Sequence, residues 1–264
     1  MPSSRRPIWL PLLTGGLIFA AAAQTPDTGG AAPTIATDRP AVTDSSAVVP
    51  SGTLQVENGV LDTYNYGHAT WDLPETLIRV GIGPSTELRF TAPDYYQDSV
   101  TPGGFRSGFG DMAVGVKQQL RTAQGGFEVA AVVSLSFPTG AAAISSHGYD
   151  PSFQLPWSSP LSANWTVAGM LSVYVPTENG VHTVVGESTI LIDRQLTKAW
   201  DAFTECAGDF PQAGGSRHLL HFGTAYKVRP RQQVDLHVGI GLSAPAVDRF
   251  VGVGYSFRFG LAGR

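Results

Sequence analysis

Charged side chains recur at every second position of stretches that are otherwise apolar. Asp111 and Lys117 interrupt the run that ends at Leu120, and Glu128 stands at the head of the run that ends at Phe137. The same parity picks out Glu57, Arg79, Glu87, Arg89, Asp111, Lys117, Glu128, Glu187, Asp193, Asp201, Glu205, Arg217, Lys227, Asp235, His237 and Arg258. Charge at membrane depth persists where it lines water or meets opposite charge. One reading of the set is a polar conduit whose acidic excess favours cations. The other is a network of ion pairs across a lumen, closing and stiffening it. Parity alone leaves both open.

Other candidates are sparser. His218 and His221 stand three apart, and residues three apart on a strand face opposite sides, so they do not form a metal pair. His147 with Asp150, and Glu178 with His182, sit near loops where an outer-membrane protease needs Asp–His pairs. Two pairings in polar loops are a weak signal for catalysis, and the expectation is a non-enzyme with no cofactor and no metal. Trp71, Trp157, Trp165, Trp200, Tyr226, Tyr255, Phe257 and Phe259 cluster near strand ends, as interfacial girdles do. Tyr95 and Tyr96, in a stretch read as a long outer loop, are candidates for ligand stacking. Cys206, alone in the chain, cannot form an intramolecular disulfide.

The elements that must position these residues follow from the alternation. Val114, Val116 and Leu120 share one strand face with Met112, while Asp111, Ala113, Gly115, Lys117 and Gln119 share the other. Val129, Ala131, Val133, Leu135 and Phe137 oppose Glu128, Ala130, Val132, Ser134 and Ser136. Val132 is thereby expected to face a wet lumen and Val133 to face lipid. About twelve strands are expected, near 52–62, 72–83, 85–94, 108–120, 126–138, 150–157, 162–176, 185–195, 199–210, 216–229, 232–243 and 248–259. Tight turns near Gly83-Pro84, Thr122–Gly125, Ser158–Pro160, Thr197-Lys198 and Pro230 alternate with longer connections near 63–71, 95–107, 139–149, 177–184 and 211–215. Such alternation is the signature of an all-β, antiparallel transmembrane β-barrel. The apolar face meets lipid, and closure leaves no unpaired edge in the bilayer. A soluble sandwich or lipocalin-like barrel also alternates, but it buries the apolar face inward.

Composition agrees. Of 264 residues, 42% are hydrophobic and only 14% charged, against roughly 25% charged in soluble domains. A net charge of -4 offers no basic footprint for nucleic acid. Arg5 and Arg6, the apolar run Ile8–Ala20 and the small residues Ala21–Ala23 read as a signal peptide over 1–23. Residues 24–51, rich in Ala, Thr, Pro, Asp and Ser, show no period and read as an extended periplasmic lead-in. The barrel then occupies 52–264.

The segment "TDRPAVTDSSAVVPSGTLQVENG", Thr37 to Gly59, resembles the start of a family of Gram-negative outer-membrane proteins labelled "MetA-pathway of phenol degradation". Further likenesses are "LPETLIRVGIGPSTELRF" (Leu73–Phe90), "GFGDMAVGVKQQL" (Gly108–Leu120) and "VGVGYSFRFG" (Val251–Gly260). The resemblance implies a porin-like outer-membrane transporter for small molecules, including aromatic or other organic ones. The partners expected are outer-membrane lipid, small-molecule solutes and the outer-membrane assembly machinery. The alternative is a closed structural or ligand-binding barrel.

Overall fold

The computed structural model describes residues 34–100, 104–122 and 126–261. Twelve antiparallel strands close into one barrel. β1 is Thr53–Asn65. β2 runs in two segments, His68–Leu73 and Leu77–Gly81. β3 comprises Thr86–Thr91 and Tyr95–Val100, and β4 Gly104–Phe109 and Met112–Thr122. β5 is Glu128–Phe137, β6 Asp150–Ser162 and β7 Trp165–Tyr174. β8 is Val185–Gln195, β9 Trp200–Pro211 and β10 Arg217–Arg229. β11 is Gln232–Gly241 and β12 Arg249–Gly260. β12 returns to β1, pairing from Thr53↔Gly260 to Tyr64↔Arg249. Each of the twelve strands thus has two neighbours over part or all of its length, with Gly104–Phe109 paired on one side only, and this pairing lets backbone cross a bilayer without stranded polar groups.

Side chains divide by parity. On β11, Val234, Leu236, Val238 and Ile240 are exposed while Gln233, Asp235 and His237 are buried. On β4, Val114, Val116 and Leu120 are exposed and Lys117 is fully buried. The apolar set points outward, the reverse of a soluble barrel, so exposure here is exposure to lipid.

Three expectations about connections are corrected. The stretch 63–71 is not a long loop. β1 and β2 join through Tyr66 and Gly67, with φ of 49° and 80°, the two left-handed residues that a tight hairpin turn needs. The stretch 95–107 is largely strand, so Tyr95 and Tyr96 lie in β3 rather than in an outer loop. Polar cross-strand pairs hold this extension, including Thr70 Oγ1 to Asp98 at 3.0 Å and Arg106 to Asp98 at 3.5 Å. Polar residues on both faces hid its period. The turn expected at Ser158–Pro160 lies at Ala163-Asn164, and a register shift beside Pro160 accommodates that proline inside β6.

β2, β3 and β4 each break at about the same height, near Pro74, Pro93 and Gly110. Backbone pairing continues through the breaks, with Gly59 N to Pro74 O at 2.6 Å, Ala92 N to Thr76 O at 2.9 Å and Gly110 N to Asp94 O at 2.8 Å.

Candidate functional site

The inside of the barrel is occupied by the chain's own N-terminal segment. Residues 34–50 have no helix or strand, yet Ile35, Thr37–Ser46 and Val49 are buried. The lead-in expected in the periplasm therefore runs, over these residues, through the barrel. A segment without regular structure must find partners for its backbone elsewhere, and the wall carboxylates supply them. Glu57 accepts from the N–H of Asp38 and Arg39 at 2.7 and 3.1 Å. Glu205 accepts from Val42 and Thr43 at 2.7 and 2.8 Å and from the Thr43 hydroxyl. Glu87 accepts from Val49 at 2.7 Å. Wall donors reach segment carbonyls: Gln55 to Ala36 at 2.7 Å, Arg79 to Ala47 at 3.0 Å and Lys117 to Ser45 at 2.9 Å.

The segment's own charges are paired with the wall. Asp38 receives Lys117 Nζ at 2.9 and 3.0 Å, lies 3.1 Å from Arg79 Nη1 and bonds Arg89. Arg79, Lys117 and Arg89 together offset the cost of burying this one carboxylate. Asp44 makes an ion contact with Arg89 at 3.0 Å. Arg79 also meets Glu57 at 3.0 Å and Glu87 at 2.8 Å. Arg39 reaches Glu75 at 2.6 Å, Asp235 at 3.5 Å and the Val253 carbonyl at 3.3 Å. Gly59 and Gly254, opposite each other across β1 and β12, make room for it. A Cβ on Gly59 would lie 2.2 Å from the Arg39 guanidinium carbon, and one on Gly254 2.5 Å from its Nε.

Apolar contacts also hold the segment. Ala41 packs with Ala168, Leu191 and Phe203. Val42 packs with Leu61, Ala207, Leu219 and Phe250, and with Ala246 and Val247 of the β11–β12 loop, which folds inward. The lumen is thus filled from two directions, by residues 34–50 and by this loop.

The residues expected by parity fall into groups. Glu57, Arg79, Glu87, Lys117, Glu187, Asp193, Asp201, Glu205, Asp235, His237 and Arg258 are buried; Arg89, Asp111, Glu128, Arg217 and Lys227 are half-buried. Glu57, Arg79, Glu87, Arg89 and Lys117 converge around Asp38. Glu205 lies 2.9 Å from His221 Nδ1, and His221 Nε2 lies 3.0 Å from His237 Nδ1. Lys227 pairs with Asp201 at 2.8 Å and Arg217 with Asp209 at 3.3 Å. Glu187 accepts from Ser172 and Tyr174, both at 3.1 Å. Glu128 meets Ser46 at 3.2 Å. Asp111 stands apart, accepting from Gly140, Ser145 and Ser146 of the β5–β6 loop. His147 and Asp150 do not meet: His147 bonds the Ala142 carbonyl and Asp150 bonds Thr177. Parity missed Asp38, Arg39, Thr43, Asp44 and Glu75. The signal was Asp38, Arg39 and Asp44, three charges in residues 28–52, the part of the lead-in tied directly to the first strand.

A closed twelve-stranded barrel with apolar outer and charged inner faces is the architecture of outer-membrane channels and porins. The chain belongs to the family described as "Putative MetA-pathway of phenol degradation", whose model matches residues 37–259. Among solved structures it is similar to the COG4313 outer membrane channel of Pseudomonas putida F1, with 12% identity and a TM-score of 0.60 over 81% of this chain and 98% of that one. It is also similar to the KdgM porin, with 12% identity and a TM-score of 0.52 over 78% and 99%. For the NanC porin the identity is 9% and the TM-score 0.53, over 77% and 98%. A comparison with curated protein sequences found no match.

Proposed function

We propose that the chain is an outer-membrane channel for small solutes, organic molecules included, and that residues 34–50 hold it closed at rest. One observation carries this reading. The obstruction is an irregular segment held mainly by side-chain hydrogen bonds, ion pairs and apolar contacts, with a backbone bond from Ile35 N to the Pro230 carbonyl at 2.7 Å, and it is not part of the sheet. A wall built to be solid fills its interior with its own side chains. Here Glu57, Glu87 and Glu205 are committed to a strand of chain that can leave without breaking a single ladder hydrogen bond. The barrel's likeness to outer-membrane channels supports the same reading, as does the KdgM porin, solved also in complex with oligogalacturonate. On this reading residues 1–23 are a signal peptide, the outer membrane of a Gram-negative cell is the destination, and lipid, solutes and the assembly machinery are the partners.

Planar-bilayer conductance tests it. Glu205→Gln keeps one acceptor oxygen where the carboxylate serves two amides, a hydroxyl and the His221 ring. Leaving a buried donor unsatisfied costs about 1–3 kcal/mol, which raises the open population roughly fivefold to a hundredfold. The wild type is expected to give rare, brief openings and the variant frequent ones. A folded barrel silent in both forms, in every salt, means a closed structural barrel instead.

A further inference from the structure

Arg79, Arg89 and Lys117 form a triad of cations on adjacent strands β2, β3 and β4, and all three meet one carboxylate, Asp38. With the segment in place these three cations face four carboxylates: Asp38 and Asp44 from the segment, Glu57 and Glu87 from the wall. When the segment leaves, three cations face two. Lys117 is then without its hydrogen-bonded carboxylate, since its approach to Glu87 is 3.9 Å. The side chains of Arg79 and Lys117 are buried, at 1% and 0% exposure. Once the segment leaves, three cations facing two carboxylates leave a local positive excess on the lumen wall, and that excess favours another anion of the same geometry. Guanidinium forks and an ammonium arranged round one carboxylate recognise carboxylates in general.

We propose that the Arg79–Arg89–Lys117 triad is a binding site for the carboxylate of an incoming organic acid, with Asp38 its tethered occupant. The solute and the segment compete for one place, so an organic carboxylate both binds in the lumen and favours release of residues 34–50. This rests on the channel reading above and names a solute class for it.

The probes are benzoate and its neutral isostere benzamide. The full chain, refolded in detergent, is compared with the Asp38→Asn/Asp44→Asn double variant by thermal unfolding. Benzoate at a few times its dissociation constant is expected to raise the variant's midpoint by roughly 2–4 °C. It should raise the wild type's less, and benzamide should raise neither. Where the double variant does not fold, the wild type decides. Hydrogen exchange at the Val42 and Thr43 amides, which Glu205 holds, should quicken in benzoate and not in benzamide. If the two probes act alike on both proteins, the proposal is overturned. Binding specific to benzoate with no flux through proteoliposomes upholds the site and removes the channel. Equal flux of both probes without a benzoate-specific response keeps the channel and removes the site.

Discussion

Val132 and Val133 separate what alternation reveals from what it conceals. Val133 is 58% exposed and faces lipid; Val132 is fully buried and faces inward. Parity placed both side chains, but the expectation that Val132 meets water is overturned, because the lumen is filled. Val133→Arg is expected to cost about 2–4 kcal/mol, the penalty for arginine near the bilayer midplane of a barrel. Val132→Arg is expected to be damaging too, by overpacking and by placing an unpaired charge in a filled interior. Denaturant titrations of folded barrels would compare them. The distinguishing readout is conductance: the Val132 variant that folds should show a displaced segment and more openings, whereas Val133→Arg should leave the lumen unchanged. The partners of Asp38, Arg39 and Thr43 were not legible, since they sit up to 214 residues away. A polar stretch without period reads the same whether water or a barrel wall satisfies it.

At the scale of elements, the strands were legible because lipid demands an uninterrupted apolar face from each. Connections were less so. Tyr66-Gly67 is a turn signal only if both flanking runs are known to be strands, and polar pairs such as Thr70–Asp98 carry no apolar period to announce them. The β5–β6 connection, residues 138–149, stays a genuine loop, anchored by Asp111 and exposed at Ala142, Ala143 and His147. The β8–β9 turn at Thr197-Lys198 is exposed at the opposite end. An epitope inserted after Ala143 is expected to be reached by antibody on intact cells, and one between Thr197 and Lys198 only after the outer membrane is opened. Exposed tips accept such insertions. The reverse result would invert the barrel.

For the whole molecule, charge is distributed unevenly round the interior. The cations Arg79, Arg89 and Lys117 lie on β2–β4, paired with the segment. Glu205 and Asp235 hold the segment, which leaves Glu187, Asp193 and Asp201 on β8 and β9, with Lys227 and Arg217 as nearby cations. While residues 34–50 are inside, the free excess is acidic. A salt gradient across a bilayer is therefore expected to show mild cation preference in the wild type. It should weaken as ionic strength rises, since fields are screened over about 10 Å at 0.1 M. Asp38→Asn/Asp44→Asn should shift the reversal potential toward anions. Anion preference in the wild type would mean that the paired charges, and not the excess, set the field.

Arg39 lies across the seam at which the barrel closes. It grips Glu75 beside β2 on one side and Asp235 and Val253 of β11 and β12 on the other, over the facing glycines Gly59 and Gly254. The segment is the chain immediately ahead of β1, so the residues that enter the lumen and the strand that closes the ring are covalently continuous. A ring that closes with its own leader outside leaves Arg79, Arg89 and Lys117 short of counter-charge; a ring that has swallowed it closes on matched pairs. The segment thus spans the joint between the first and last strands, and the barrel whose charges are matched is the one that is shut.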